Sequence, residues 1–390
     1  MKQLLVSTLG ATALVASALP AAAQDAPPNP YLSLQQEMKL AIARGNEWLA
    51  QQQKEQGWWD TEDLPALTAL ALTAAVRDPA VDPAKELPES IAKGFEWLKE
   101  QQKEDGGIYN KGLGVYNTAT SVTALTAGGR DVDEPAIVRG RKYLIGEQWD
   151  IGKAKETDNA NDGGIGYGSH NDHTDLSNTY LAIEALALSK QVVDDGNFGD
   201  QPDLDWDAAI TFLSRCQNLE ATNDQEWASD DEQNKGGFIY TPGDSKAGEV
   251  ELPDGRTALR SYGSISYAGL LSLVYAKLEP NDARVVAVKE WAGKNWTLDE
   301  NPGMGLQGLY YYYQAMSKAL AAAKVDKLPL ADGKAVDWRS DLAGKLLATQ
   351  KSDGSWINEN GRWMESNPIL VTSYTVMALE QIYHSIPGKP

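Results

Sequence analysis

The sequence is short of several things at once. Its 390 residues include one cysteine, Cys216, three histidines and four phenylalanines. A lone cysteine excludes an intrachain disulfide, and its distance from the N-terminus excludes a lipoprotein anchor. Positive charge is scarce as well, with 35 Lys and Arg against 55 Asp and Glu and a net charge of −20. A field of that sign repels phosphates, which argues against nucleic acid or anionic lipid as a main partner. After Leu19 no run of about 18 apolar residues occurs, so no transmembrane helix is expected.

What is present begins with a leader. Lys2 is followed by an apolar run from Leu4 to Leu19 and by the small residues Ala21-Ala22-Ala23. This pattern predicts a signal peptide over 1–23 and export to the periplasm or beyond. Residues 24–35 are Pro-rich at the start and read as a flexible arm, leaving 36–386 as a single domain.

Self-similarity decides the architecture. Ile42-Ala-Arg44-Gly45-Asn-Glu-Trp48-Leu49 recurs as Ile91-Ala-Lys93-Gly94-Phe-Glu-Trp97-Leu98, and again as Ile137-Val-Arg139-Gly140-Arg-Lys-Tyr143-Leu144. A glutamine follows each leucine by four residues, at Gln53, Gln102 and Gln148. Weaker copies lie around Trp206 to Gln217, Val285 to Trp296 and Arg339 to Gln350. Each copy leads through a glycine-rich turn to a second helix with little charge, as at Leu176 to Leu188 or Ile369 to Tyr383. Charged first helices suit an outer layer and apolar second helices an inner one. Six such pairs predict an all-α fold, an (α/α)6 toroid with a double ring of helices. The long inserts Asp150 to Asn161 and Leu219 to Arg260 precede inner helices and are expected to shape a site at the glycine-turn end.

These residues resemble the QW repeat of squalene and oxidosqualene cyclases. The first copy fits throughout, with Arg44, Gly45, Trp48, Leu49, Gln53, Gly57 and Trp59. The second ends on Ile108 in place of the tryptophan, and the sixth keeps Gln350, Asp353, Gly354 and Trp356. The resemblance implies the toroid shared by triterpene cyclases, protein prenyltransferase β subunits and thioester domains. In cyclases of this kind the proton donor lies in Asp-x-Asp-Asp-Thr at the start of an inner helix. Here Asp175-Leu176-Ser177-Asn178-Thr179 takes that place, so Ser177 stands where the donor belongs and Asn178 replaces the third aspartate. A hydroxyl cannot protonate an alkene. The prenyltransferase zinc triad also fails, because Ser177 replaces its cysteine and Tyr262-Gly263-Ser264 brings no histidine. No Cys-Gly-Glu-Gln occurs for a thioester.

Asp175, Tyr262 and Tyr311 are the candidate catalytic groups. His170, His173, Ser177, Asn178, Arg260, Gln307, Trp363 and Glu365 are candidate ligand contacts. His170, Asp172 and His173 carry donors suited to a divalent metal, at a spacing that matches no specific motif. Asp175 equally suits a helix cap. Among the four consecutive tyrosines, Tyr312 and Tyr313 are expected to pack the ring and Tyr311 to reach its axis. No cofactor is assigned. The expected ligand is an isoprenoid or other molecule in the central cavity; a polysaccharide lyase or glycoside hydrolase and a non-catalytic binding module stay open.

Overall fold

A computed structural model describes residues 29–168, 173–253 and 255–387. Helices of two kinds alternate along the chain. The outer ones are α1 (Leu32–Gln52), α3 (Glu89–Glu100), α5 (Glu134–Gly146), α8 (Trp206–Arg215), α10 (Ala283–Lys294) and α12 (Trp338–Ala348). The inner ones are α2 (Pro65–Arg77), α4 (Gly114–Gly128), α6 (Leu176–Leu188), α9 (Gly263–Tyr275), α11 (Leu309–Ala322) and α13 (Pro368–Ser385). A short helix, α7 (Lys190–Asp195), follows α6. Two small hairpins complete the structure: β1 (Glu249–Glu251) with β2 (Thr257–Leu259), and β3 (Leu328–Pro329) with β4 (Ala335–Val336). The expected α/α toroid is therefore the observed fold. Each inner helix packs on the next, and α13 returns to α2 to close the ring.

The repeated motif explains the closure. The side-chain amide of Gln53 donates to the carbonyls of Gly57, in its own turn, and Ser90, beside the next outer helix, at 2.9 and 2.8 Å. Gln102, Gln148 and Gln217 make the same pair of bonds in the following repeats. Gln350 donates to Gly354 and, across the seam of the ring, to Ala41 in α1, both at 2.9 Å. Each amide thus satisfies carbonyls at a turn and a helix start that would otherwise be unpaired. The turn glycines follow the same logic. Gly354 has φ +96°, and a Cβ there would collide with the backbone carbonyl of Arg44. The indole of Trp59 closes back on the Leu49 carbonyl at 2.7 Å, and Trp356 does so on Leu346 at 2.8 Å. In the fifth repeat Trp296 stands at the glutamine position. Tyr312 and Tyr313 point outward there, donating to the carbonyls of Thr297 and Leu298 at 2.8 and 2.6 Å. Their structural role is the one expected.

A second recurring contact sets where the inner helices begin. Thr68, Thr118, Thr179, Ser266 and Thr372 each accept a hydrogen bond from the backbone N–H of the turn residue that precedes their helix, at 2.9 to 3.0 Å. The threonine of the Asp175–Thr179 stretch is one of this set, so its place in the motif is architectural.

Residues 1–28, the expected leader and most of the arm, lie outside the described residues. Leu32 to Gln35, expected in the arm, already belong to α1: Gln35 is buried, and the Tyr31 hydroxyl just before the helix donates to Asp337 at 2.9 Å. The insert over 150–161 also departs from expectation, since none of its residues reaches the cavity. Arg215 on α8 draws it outward, donating to the carbonyls of Asn159 and Thr157 at 2.8 Å while pairing with Asp224. No helix among the described residues is long and apolar enough to cross a membrane.

Candidate functional site

All six inner helices start at the same end of the ring, and their first turns surround a cavity of about 520 Å³. Leu64, Leu67, Leu181, Ile265 and Leu370 form apolar walls. Between them stand six tyrosines: Tyr116, Tyr167, Tyr240, Tyr262, Tyr311 and Tyr374. Their hydroxyls are largely spent on neighbours. Tyr116 meets Tyr374 at 3.2 Å, Tyr167 meets Tyr240 at 3.0 Å, and Tyr311 meets Ser177 at 3.2 Å. What these residues offer a ligand is ring surface. Burial pushes all six phenols above their ordinary value, so they stay protonated at neutral pH.

The two carboxylates next to the cavity are both engaged as helix caps. Asp175 is fully buried, and its two oxygens accept from the backbone N–H and the side-chain amide of Asn178, each at 2.8 Å. Burial raises its pKa, while those bonds to Asn178 pull it down. Asp175 does not line the cavity; Asn178 stands between. Glu365 is 1 % exposed and reaches from the loop before α13 to the start of α11, accepting from the N–H groups of Tyr311 and Tyr310 at 2.8 and 3.3 Å. Asn358 donates to the same carboxylate at 2.6 Å. Burial again raises the pKa and the surrounding donors oppose it. A carboxylate so placed complements the positive end of the helix dipole.

The mouth of the cavity is more polar. The His173 ring lies 6.0 Å from that of Tyr167 and 6.5 Å from that of Tyr240, and the Lys246 ammonium sits 4.3 Å above the Tyr240 ring. Opposite them, Arg362, Trp363 and Met364 form a short strap. Trp363 and Met364 hold left-handed backbone at φ 54° and 64°, and both are exposed. Below the floor, α6 and α11 carry a buried ion pair, Lys318 to Glu184 at 2.9 Å, with the Tyr180 hydroxyl 3.4 Å from the ammonium.

His173, Ser177, Asn178, Tyr262, Tyr311, Trp363 and Glu365 thus converge on one cavity. Arg260 and Gln307 do not. Arg260 is exposed beside β2, where its guanidinium bonds the Glu249 carbonyl at 3.0 Å. Gln307 takes part in a turn, its carbonyl accepting from Asn301 at 3.0 Å. His170 and Asp172 lie outside the described residues. Among the described residues no three His, Cys, Asp or Glu side chains are grouped to hold a metal ion.

The toroid has solved counterparts. The type II terpene cyclase MstE from Scytonema superposes with a TM-score of 0.54 at 12 % identity, over 90 % of this chain and 99 % of that one. A variant of the same enzyme in complex with its substrate, geranylgeranyl dihydroxybenzoate, gives 0.52 at 12 % identity over the same shares. A family 76 glycoside hydrolase from a bovine Bacteroides thetaiotaomicron strain gives 0.57 at 13 % identity, over 89 % of this chain and 78 % of that one. No family model and no curated protein matches the sequence. At such identities the likeness is one of fold, shared by terpene cyclases and glycosidases alike.

Sequence reasoning missed Tyr116, Tyr167, Tyr240, Lys246 and Tyr374. The repeat itself carried the signal for two of them. Counting two residues back from Thr118 reaches Tyr116, as counting back from Thr179 reaches Ser177. Counting two forward from Thr372 reaches Tyr374, as Thr179 leads to Leu181. For Tyr167, Tyr240 and Lys246, all on loops, no periodicity was available.

Proposed function

We propose that the protein binds a linear isoprenoid, or a ligand of similar branched hydrocarbon character, in its central cavity without initiating cyclisation by protonation. The observation that carries this reading is the cavity wall. Aliphatic side chains and tyrosine rings supply most of the surface, and five of the six tyrosine hydroxyls are engaged with neighbours, four with one another and that of Tyr311 with Ser177. Apolar surface of this kind gains about 25 cal/mol per Å² removed from water. A polar ligand would leave its own donors and acceptors short of partners there. Protonation of an alkene would need a free acid, and both nearby carboxyl groups are committed to caps. The apolar cavity, Ser177 and Asn178 in place of acids at the start of α6, and the expected export favour a carrier or sensor of such chains.

Native mass spectrometry of the full chain with geranylgeraniol tests the reading. A 1:1 adduct is expected, lost when Leu181→Trp fills the axis. A protein that ignores geranylgeraniol but binds a neutral oligosaccharide overturns it. That second outcome has a physical basis in Trp363, a residue 40 % exposed at the mouth, whose ring lies 5.6 Å from the Arg362 guanidinium.

A further inference from the structure

The inner helices end at the other face of the ring, and near α9 and α11 the chain's charge changes sign. A groove of about 810 Å³ runs there between the ends of these two helices and the outer helix α10. Val274, Leu278, Val285, Val286, Val325 and Leu330 make it apolar. Lys289, Lys294, Lys324 and Lys327 line it, against one acid, Glu290. Its size falls within the range of about 300–1,000 Å³ typical of small-molecule sites.

Two features set these lysines apart from scattered surface charge. The first is contrast, since the chain as a whole carries a net charge of −20. The second is backbone. Both α9 and α11 end on a lysine in the left-handed region: Lys324, which lines the groove, at φ 53°, and Lys277, next to the groove residue Leu278, at φ 63°. The next residues, Leu278 and Val325, turn back toward the groove, their N–H groups bonding the carbonyls of Leu273 and Leu320 at 3.1 and 3.0 Å. Glycine fills such a position with less strain, so helix termination alone does not select lysine at both.

The occupant follows from complementarity. The apolar lining calls for aliphatic surface, and the lysines call for a negative head group. Ammonium groups are compact point charges and suit a small anion. The net field of the protein opposes the approach of a polyanion. We propose that this groove binds a single-chain fatty carboxylate, its tail on the valine and leucine surface and its head among the lysines. The site is separate from the central cavity and does not depend on what that cavity holds.

Titration of the full chain with cis-parinaric acid, a fluorescent fatty acid, reads the site directly. The double variant Lys324→Gln/Lys327→Gln, changed at two exposed positions, is expected to bind it at least tenfold more weakly. Wild type should show a similar loss for the neutral methyl ester, and Leu181→Trp in the central cavity should bind the acid as wild type does. Equal binding by the lysine variant, or loss in Leu181→Trp, overturns the proposal. So does sedimentation showing a dimer that the lysine variant dissociates with no fatty acid bound, which would give the groove to a second copy. Displacement of the probe by polyglutamate at equal charge would give it to an acidic protein instead.

Discussion

Lys318 and Glu184 face each other across the ring at 2.9 Å, both buried, one on α11 and one on α6. Seven residues before each of them stand Tyr311 and Ser177, which meet at the cavity floor at 3.2 Å. Seven residues is close to two helical turns, so the same faces of the same two helices make both contacts. The pair below is electrostatic and the pair above is a hydrogen bond between hydroxyls.

Removing one member of the ion pair should be far worse than removing both. Lys318→Met strands a buried carboxylate and is expected to cost about 3–5 kcal/mol. Adding Glu184→Leu should return most of that loss. Urea denaturation of the two variants checks this, and equal loss in both would show that the charges are not coupled.

Asp175 is a cap, and its removal should read as one. Asp175→Ala is expected to lower stability by about 1–2 kcal/mol, the usual cost of losing an N-cap. Geranylgeraniol retention by the folded protein should stay within twofold of wild type. A large loss of binding at unchanged stability would place Asp175 in contact with the ligand.

Glu380 predicts a stability that falls as pH rises out of the acid range. Its carboxyl is fully buried in α13, and its oxygens make no hydrogen bond of good geometry, Asn46 being the polar side chain beside them. Burial raises its pKa well above the ordinary 4.5. The Asn46 Oδ1 is also buried and unpartnered, its amide nitrogen being given to Ala74 and Asp78. A carboxyl proton supplies the donor both acceptors lack. The fold therefore favours the protonated form, and stability falls as pH rises above 4.5 toward the raised value. Glu380→Gln should match wild type in acid and lose less stability as pH rises. Parallel pH profiles of unfolding free energy would refute the assignment.

The closing contact of the ring should be as valuable as the internal ones. Gln350→Ala removes two hydrogen bonds and is expected to cost about 1–3 kcal/mol. Gln102→Ala, in the middle of the chain, should cost the same within error. A much smaller effect at Gln350 would mean that the seam between α12 and α1 is loose.

The fold was legible because the motif is made of contacts that any six-fold ring must repeat. Gln53 and Gly57 recur in sequence because each turn meets the next outer helix in the same way. The site was only partly legible. Ser177, Asn178, Tyr262 and Tyr311 lie in first turns, where the pattern fixes which way they face. Arg260 and Gln307 lie beside those turns but outside the helical register, so proximity in sequence misplaced them. Asp175 was found as the one acid retained, yet its carboxylate is turned to its own helix by Asn178. That aim depends on a side chain three residues away and is not written in composition.

Both ends of the toroid rest on a single helix start. Tyr31 bonds Asp337 at 2.9 Å, and Arg339 bonds Ser385 at 3.1 Å, so the residues that open and close the ring share the first turn of α12. With the Gln350 contact in place, the ring has no privileged beginning. A short linker from Ser385 to Tyr31, with a new opening cut in the exposed stretch after α7, should give a circularly permuted chain that folds to the same toroid. In that rearranged order the seam would become an ordinary repeat junction and an ordinary junction the seam.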